Sequence, residues 1–107
     1  MDSKEQEELR ARIEWETLFE IVDELNYYQL LRLSPECGQA EIPKAFRRES
    51  QRLHPDQAAT MPDLKEKATY VFTAINEAFR VLKAADSRLA YDSLLKNGQI
   101  RTEDTAL

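Results

Sequence analysis

The sequence predicts an all-α fold, on three observations. Apolar residues recur at helical spacing through most of the 107 residues. Two glycines and four prolines leave little turn chemistry for a multi-stranded sheet. A composition of 42% hydrophobic and 33% charged residues suits a small soluble helical domain rather than a disordered chain. At this length the chain amounts to one domain with at most a short appendage.

Taken in order, Ser3 followed by Gln6 reads as a capping box that opens a long helix running to about Leu25. Ala11, Trp15, Leu18, Val22 and Leu25 share one stripe of it, and Leu9, Ile13, Phe19 and Ile21 widen that stripe. So apolar a face needs a partner, either the following domain or another copy of the chain. Asn26 caps a second, short helix beginning at Tyr27, and Ser34-Pro35-Glu36-Cys37-Gly38 is a turn by composition. A third helix carries Ile42, Ala45, Phe46 and Leu53 as its apolar positions; Pro43 is tolerable only in its first turn, so it should start close to Glu41. Its opposite side carries Lys44, Arg47, Arg48 and Arg52. Pro62 and Asp63 fit the first turn of the principal core helix, in which Leu64, Ala68, Val71, Phe72, Ile75, Phe79 and Leu82 recur at helical spacing. The third and principal helices should pair antiparallel. Asp86 is read as the cap of a last helix over 87–96, stopped by Asn97-Gly98, and residues 99–107 as a frayed tail.

The break between the paired helices is Leu53-His54-Pro55-Asp56, which holds the only histidine. Pro55 lacks a backbone donor and pushes His54 out of the α region, so the helix should end at or before His54. Three roles are open to His54 and Asp56: a general-base pair, although no serine or cysteine elbow accompanies it; a structural cap; or a rigid recognition turn beside a basic helix face.

Composition removes several other classes. Cys37 is alone, so a cysteine-based zinc site or an internal disulfide cannot form, and no metal centre is expected. No apolar run reaches the roughly 18–20 residues of a membrane span, and the acidic N-terminus is unlike a signal sequence, which makes a cytoplasmic location the default. Residues 1–25 hold nine acids against three bases, a net −6, which leaves +1 for the remainder of a chain whose total is −5. That balance argues against general nucleic-acid binding.

Five segments together resemble the J-domain of the DnaJ co-chaperone family. They are Asn26-Tyr27-Tyr28-Gln29-Leu30-Leu31; Ile42-Pro43-Lys44-Ala45-Phe46-Arg47-Arg48; His54-Pro55-Asp56; residues 72–82; and residues 86–92. The resemblance implies a J-domain over 26–98, built on an antiparallel helical hairpin with short flanking helices and preceded here by an acidic amphipathic helix over 1–25. It further implies a co-chaperone that binds a DnaK-type (seventy-kilodalton heat-shock) chaperone and stimulates its ATP hydrolysis. His54, Pro55 and Asp56 would be the trigger, Lys44, Arg47, Arg48 and Arg52 the docking face, and Phe72 and Phe46 the support of the loop. It implies no enzyme activity and no cofactor in this chain, because the nucleotide belongs to the partner. The sequence departs from the family pattern at Pro43, at Glu49, where the position is usually apolar, and at Gln57. Those departures leave an interaction scaffold that binds partners without activating a chaperone as the alternative.

Overall fold

A computed structural model describes residues 2–102. Five α-helices follow in order: α1 (Ser3–Ile21), α2 (Tyr27–Leu30), α3 (Glu41–Arg52), α4 (Lys65–Leu82) and α5 (Ala85–Lys96). Three short 3-10 turns, Val22–Glu24, Pro55–Ala58 and Pro62–Leu64, join them, and there is no strand among the described residues. The all-α fold predicted from periodicity is the fold observed.

The paired helices are α3 and α4, and their contacts run in opposite sense along the chain. The Gln39 amide donates to Leu82 O, Phe46 stacks on Phe79 with ring centroids 4.1 Å apart, and His54 meets Phe72 at 5.1 Å. Partners of α3 thus step backward through α4, the signature of an antiparallel hairpin. Ile42 and Ala45 from α3 bury against Ala68, Val71, Ile75, Ala78 and Leu82 of α4. Pro43 falls in the first turn of α3, as its missing donor requires.

Helix α1 lies against α4. Trp15 and Val22 are fully buried, and Ala11, Leu18 and Leu25 pack on the same core, so the predicted stripe is occupied by the chain's own hairpin. The widening of that stripe is not. Leu9 and Ile13 stay outside, at 46% and 57% exposure, because they lie on the opposite side of the helix. Phe19 and Ile21 are also exposed, and Phe19 is partly covered by the Tyr70 ring, which it meets edge-on, and by the Lys67 ammonium over its face. Two termini differ from the sequence reading. Asp2 caps α1, its carboxylate accepting from Glu5 N at 2.8 Å, and Ser3 is already inside the helix. Helix α5 starts at Ala85 rather than after Asp86, with the Ser87 hydroxyl donating back to Val81 O and Ala84 O.

Asn26 forms a full capping box with Gln29: its side chain accepts from Gln29 N, and the Gln29 side chain accepts from Asn26 N, both at 2.8 Å. This fixes the entry of α2, whose Tyr27 and Tyr28 are completely buried beside Tyr91. Asn26→Ala is expected to lower the stability by about 1 kcal/mol, read as a shift in urea midpoint, whereas Asn26→Asp should stay near the parent.

The frayed tail predicted from residue 99 is corrected for its first part. Gly98, at φ +86°, turns the chain after α5. Tyr91 OH then donates to Ile100 O, Thr102 N donates to Tyr27 OH, and Arg101 donates to Leu25 O and, at 2.7 Å, to Val22 O. Residues 99–102 therefore pack back over the junction of α1 and α2, because buried backbone carbonyls there need donors. The rest of that tail, 103–107, lies outside the described residues.

Candidate functional site

The helix break is built as its sequence dictates. Helix α3 ends at Arg52, two residues before the His-Pro pair, and His54 takes the extended conformation (φ −66°, ψ 137°) that a following proline enforces. Pro55 occupies the first position of a 3-10 turn in which Gln57 N donates to His54 O at 2.8 Å and Ala59 N to Asp56 O at 3.1 Å. Leu53, Ala58 and Met61 bury beneath this turn and pin it to the hairpin. His54, Asp56 and Gln57 remain outside.

Asp56 N donates to His54 Nδ1 at 3.1 Å, so a neutral His54 ring carries its proton on Nε2. The Asp56 carboxylate sits 3.5 Å from that ring nitrogen with its side chain 91% exposed. Both groups lie open to water at the rim of a shallow groove that Ser50 also lines. Phe72 touches the His54 ring edge-on from α4. Phe46 stacks on Phe79 and lines a shallow groove with Ser50, Gln51, His54, Gln57 and Phe72.

The four bases of α3 do not form one face. Lys44 and Arg47 are exposed, with no acid paired to either among the described residues, and Gln51 and His54 continue their stripe at helical spacing toward the loop. Arg48 and Arg52 turn instead to Glu49. This carboxylate is buried completely, and it accepts from Arg48 Nε at 2.8 Å and from Arg52 Nη2 at 2.6 Å. Arg48 also donates to Leu31 O at 3.0 Å, while Arg52 pairs on its other side with Glu14 of α1. Burial lowers the pKa of Arg52 from its ordinary value, but that value is so high that the guanidinium stays charged. The departure at Glu49 thus converts one base of the expected docking face into an internal tie and holds a second at its edge. Periodicity alone could not show this, because a glutamate on an apolar stripe carries no mark of which cations will neutralise it.

On the far side of the loop Arg12 grips Asp63 in a two-pronged contact, Nη1 to Oδ2 at 2.5 Å and Nη2 to Oδ1 at 3.2 Å. The guanidinium holds the Asp63 carboxyl below the usual carboxylate range. Among the described residues no group of histidine, cysteine or carboxylate side chains could hold a metal ion, and no helix is long and apolar enough to cross a membrane.

The model of the DnaJ domain matches residues 26–92, which take in α2, the whole hairpin, the loop and most of α5. The chain belongs to the DnaJ domain family. Among its relatives, it is 35% identical over 77 residues to the "Chaperone protein DnaJ" of Sulfurovum sp. (strain NBC37-1), which covers 72% of this chain and 19% of that protein. The "Chaperone protein DnaJ" of Hydrogenobacter thermophilus is 40% identical over 73 residues, 68% of this chain and 19% of its own length. The human "DnaJ homolog subfamily C member 4" is 38% identical over 72 residues, 67% and 28%. The chain spans about a fifth of the length of the bacterial relatives, so what it shares with them is the DnaJ domain alone. No solved structure matches it significantly. Helix α1 precedes the matched residues, and with it come Arg12 and Glu14, two side chains that this DnaJ domain receives from outside its own boundary.

Proposed function

We propose that the chain is a co-chaperone module that docks on a DnaK-type chaperone and stimulates its ATP hydrolysis. One observation carries the reading: an intact His54-Pro55-Asp56 turn, pinned from below, presents an open carboxylate at the end of a stripe that begins with the unpaired cations Lys44 and Arg47. Asp56 offers an acceptor to a partner cation, and Lys44 and Arg47 meet an acidic partner surface; exposed charges of this kind steer association and set its register. Arg48 stands at the edge of this face, and Arg52 acts behind it through Glu49. The ATP and its chemistry belong to the partner, and the reading places both proteins in the cytoplasm.

Single-turnover ATP hydrolysis by a cognate DnaK-type chaperone is expected to accelerate with this chain and to return to the basal rate with Asp56→Asn or His54→Gln. Lys44→Ala with Arg47→Ala should instead raise the concentration needed for half-maximal stimulation, more so at low salt. If the chaperone is captured but its hydrolysis is unmoved by the parent chain, the protein is an interaction scaffold.

A further inference from the structure

Two charged contacts tie α1 to opposite stems of the loop. Arg12 forks onto Asp63, which lies just after the loop, and Glu14 pairs with Arg52, which closes α3 just before it. Leu53 to Pro62, including His54, Pro55 and Asp56, is the segment between these two anchor points. Arg12 and Glu14 are two residues apart on a helix, so they leave its axis on opposite flanks. Trp15, 2% exposed, is driven into the core between those flanks. One turn of α1 thus spans the loop base with a buried anchor in the middle and a charged arm to each side.

The signs of the charges add a second constraint. Turned end for end, the helix would set Glu14 against Asp63 and Arg12 against Arg52, two like-charge contacts. The observed pairing therefore selects one orientation of α1 over the other. Exposed ion pairs contribute little to overall stability, but a two-pronged guanidinium–carboxylate contact fixes direction as well as distance. The loop is defined by a few local hydrogen bonds, from Gln57, Ala59 and Met61 amides to His54, Asp56 and Ala58 carbonyls, from Asp56 N to His54 Nδ1, and from the Gln57 side chain to Gln51 O.

We propose that α1 positions the His-Pro-Asp loop, with Arg12 and Glu14 as positioning residues that hold its two stems at a set separation. The consequence for the chaperone rests on the function proposed above; the consequence for the loop does not. Hydrogen exchange of the whole chain tests the second. In Arg12→Asp the amides of Gln57, Ala59 and Met61 should exchange several-fold faster while those in the middle of α5 keep their rates. The reciprocal swap, Arg12→Asp with Asp63→Arg, should restore the loop to within about twofold of the parent. Glu14→Gln, a milder change on the other stem, should loosen the same amides. Unchanged loop exchange in both single variants overturns the proposal, and so does equal acceleration in the loop and α5, or a swap that fails to restore protection.

Chaperone stimulation supplies the other arm. Arg12→Asp should lower the maximal rate without moving the half-saturating concentration, since Lys44 and Arg47 are untouched, and the swap should recover it. A parent chain that stimulates and a loosened variant that stimulates equally well would refute positioning. A parent chain that never stimulates, with the exchange pattern as expected, refutes the proposed function and leaves the strap standing.

Discussion

Arg52→Leu is expected to destabilise the fold by about 3 kcal/mol, whereas Glu49→Leu should change it by no more than about 1 kcal/mol in either direction. The asymmetry comes from what each change leaves behind. Without Arg52, a completely buried carboxylate keeps one cation, Arg48, whose side chain is itself 54% exposed, and Glu14 loses its partner as well. Removing one member of a buried pair strands the other's charge in a poorly solvating site, and Arg48 is the reason to expect the low end of that cost. Without Glu49, by contrast, a buried charge is replaced by an apolar side chain of similar size on an apolar stripe. Arg52 still has Glu14, and Arg48, half exposed already, keeps only its bond to Leu31 O and can turn further into water. Urea unfolding of the two variants measures the difference, with unchanged slopes certifying that the midpoints report stability. Equal destabilisation would mean that Glu49 is held by something other than these two guanidinium groups. The same Glu49→Leu variant should also bring Arg48 into the exposed basic stripe and strengthen docking at low salt.

The second large effect is alkaline. Burial, and then the hydrogen bond to the Glu77 carboxylate, push the Tyr27 phenol up to about 12; burial and Asp92 do the same to Tyr28. In the unfolded chain both titrate near 10. A group whose pKa is raised by folding contributes its full stabilisation below the unfolded value and loses it as pH climbs through the folded one. Each tyrosine thus contributes at most about 3 kcal/mol below pH 10, less where solvent screens its part-buried hydroxyl, and that contribution is gone above 12. The two together are a sizeable fraction of the stability of a small domain. Helical circular dichroism should accordingly collapse between pH 10 and 12, and the phenolate absorbance of the buried tyrosines should rise with that collapse. Helix that persists beyond pH 12, or phenolate that forms while the helix is intact, contradicts the account.

Local rules found the elements. The Trp15 stripe, the Asn26 cap, the first-turn place of Pro43 and the break at His54 each depend on residues within a turn or two of one another, and each is where its chemistry puts it. The place of Phe72 on the facing helix, against the His54 ring, is also legible through the resemblance. What escaped were pairings across the chain. Arg12 and Asp63 are 51 residues apart, and neither position announces the other. Glu49 sits at a spacing that marks burial, so its place was readable while its neutralisation was not. Hence the pattern counts Arg52 with the docking surface, although its side chain turns to Glu49 and Glu14. The return of residues 99–102 is hidden from the sequence for a related reason. Arg101 finds backbone carbonyls at Val22 and Leu25, and an acceptor that every residue possesses leaves no signature in a sequence.

That return has a practical consequence for where the molecule can be cut. A fragment trimmed to residues 26–92 would discard Trp15 and Val22, and with them the donors that Arg101 and Thr102 bring to the same corner. It would bare the flank of α4, leave the Tyr91 hydroxyl without Ile100, and take one partner each from Asp63 and Arg52. The two ends discarded are joined to each other as well as to the middle, since Arg101 clasps the last turn after α1. Limited proteolysis should respect this: the first cleavage is expected in the exposed stretch around Ala59-Thr60 rather than at either edge of the family match. The recognisable module and the cooperative unit are, in this chain, different lengths of polypeptide.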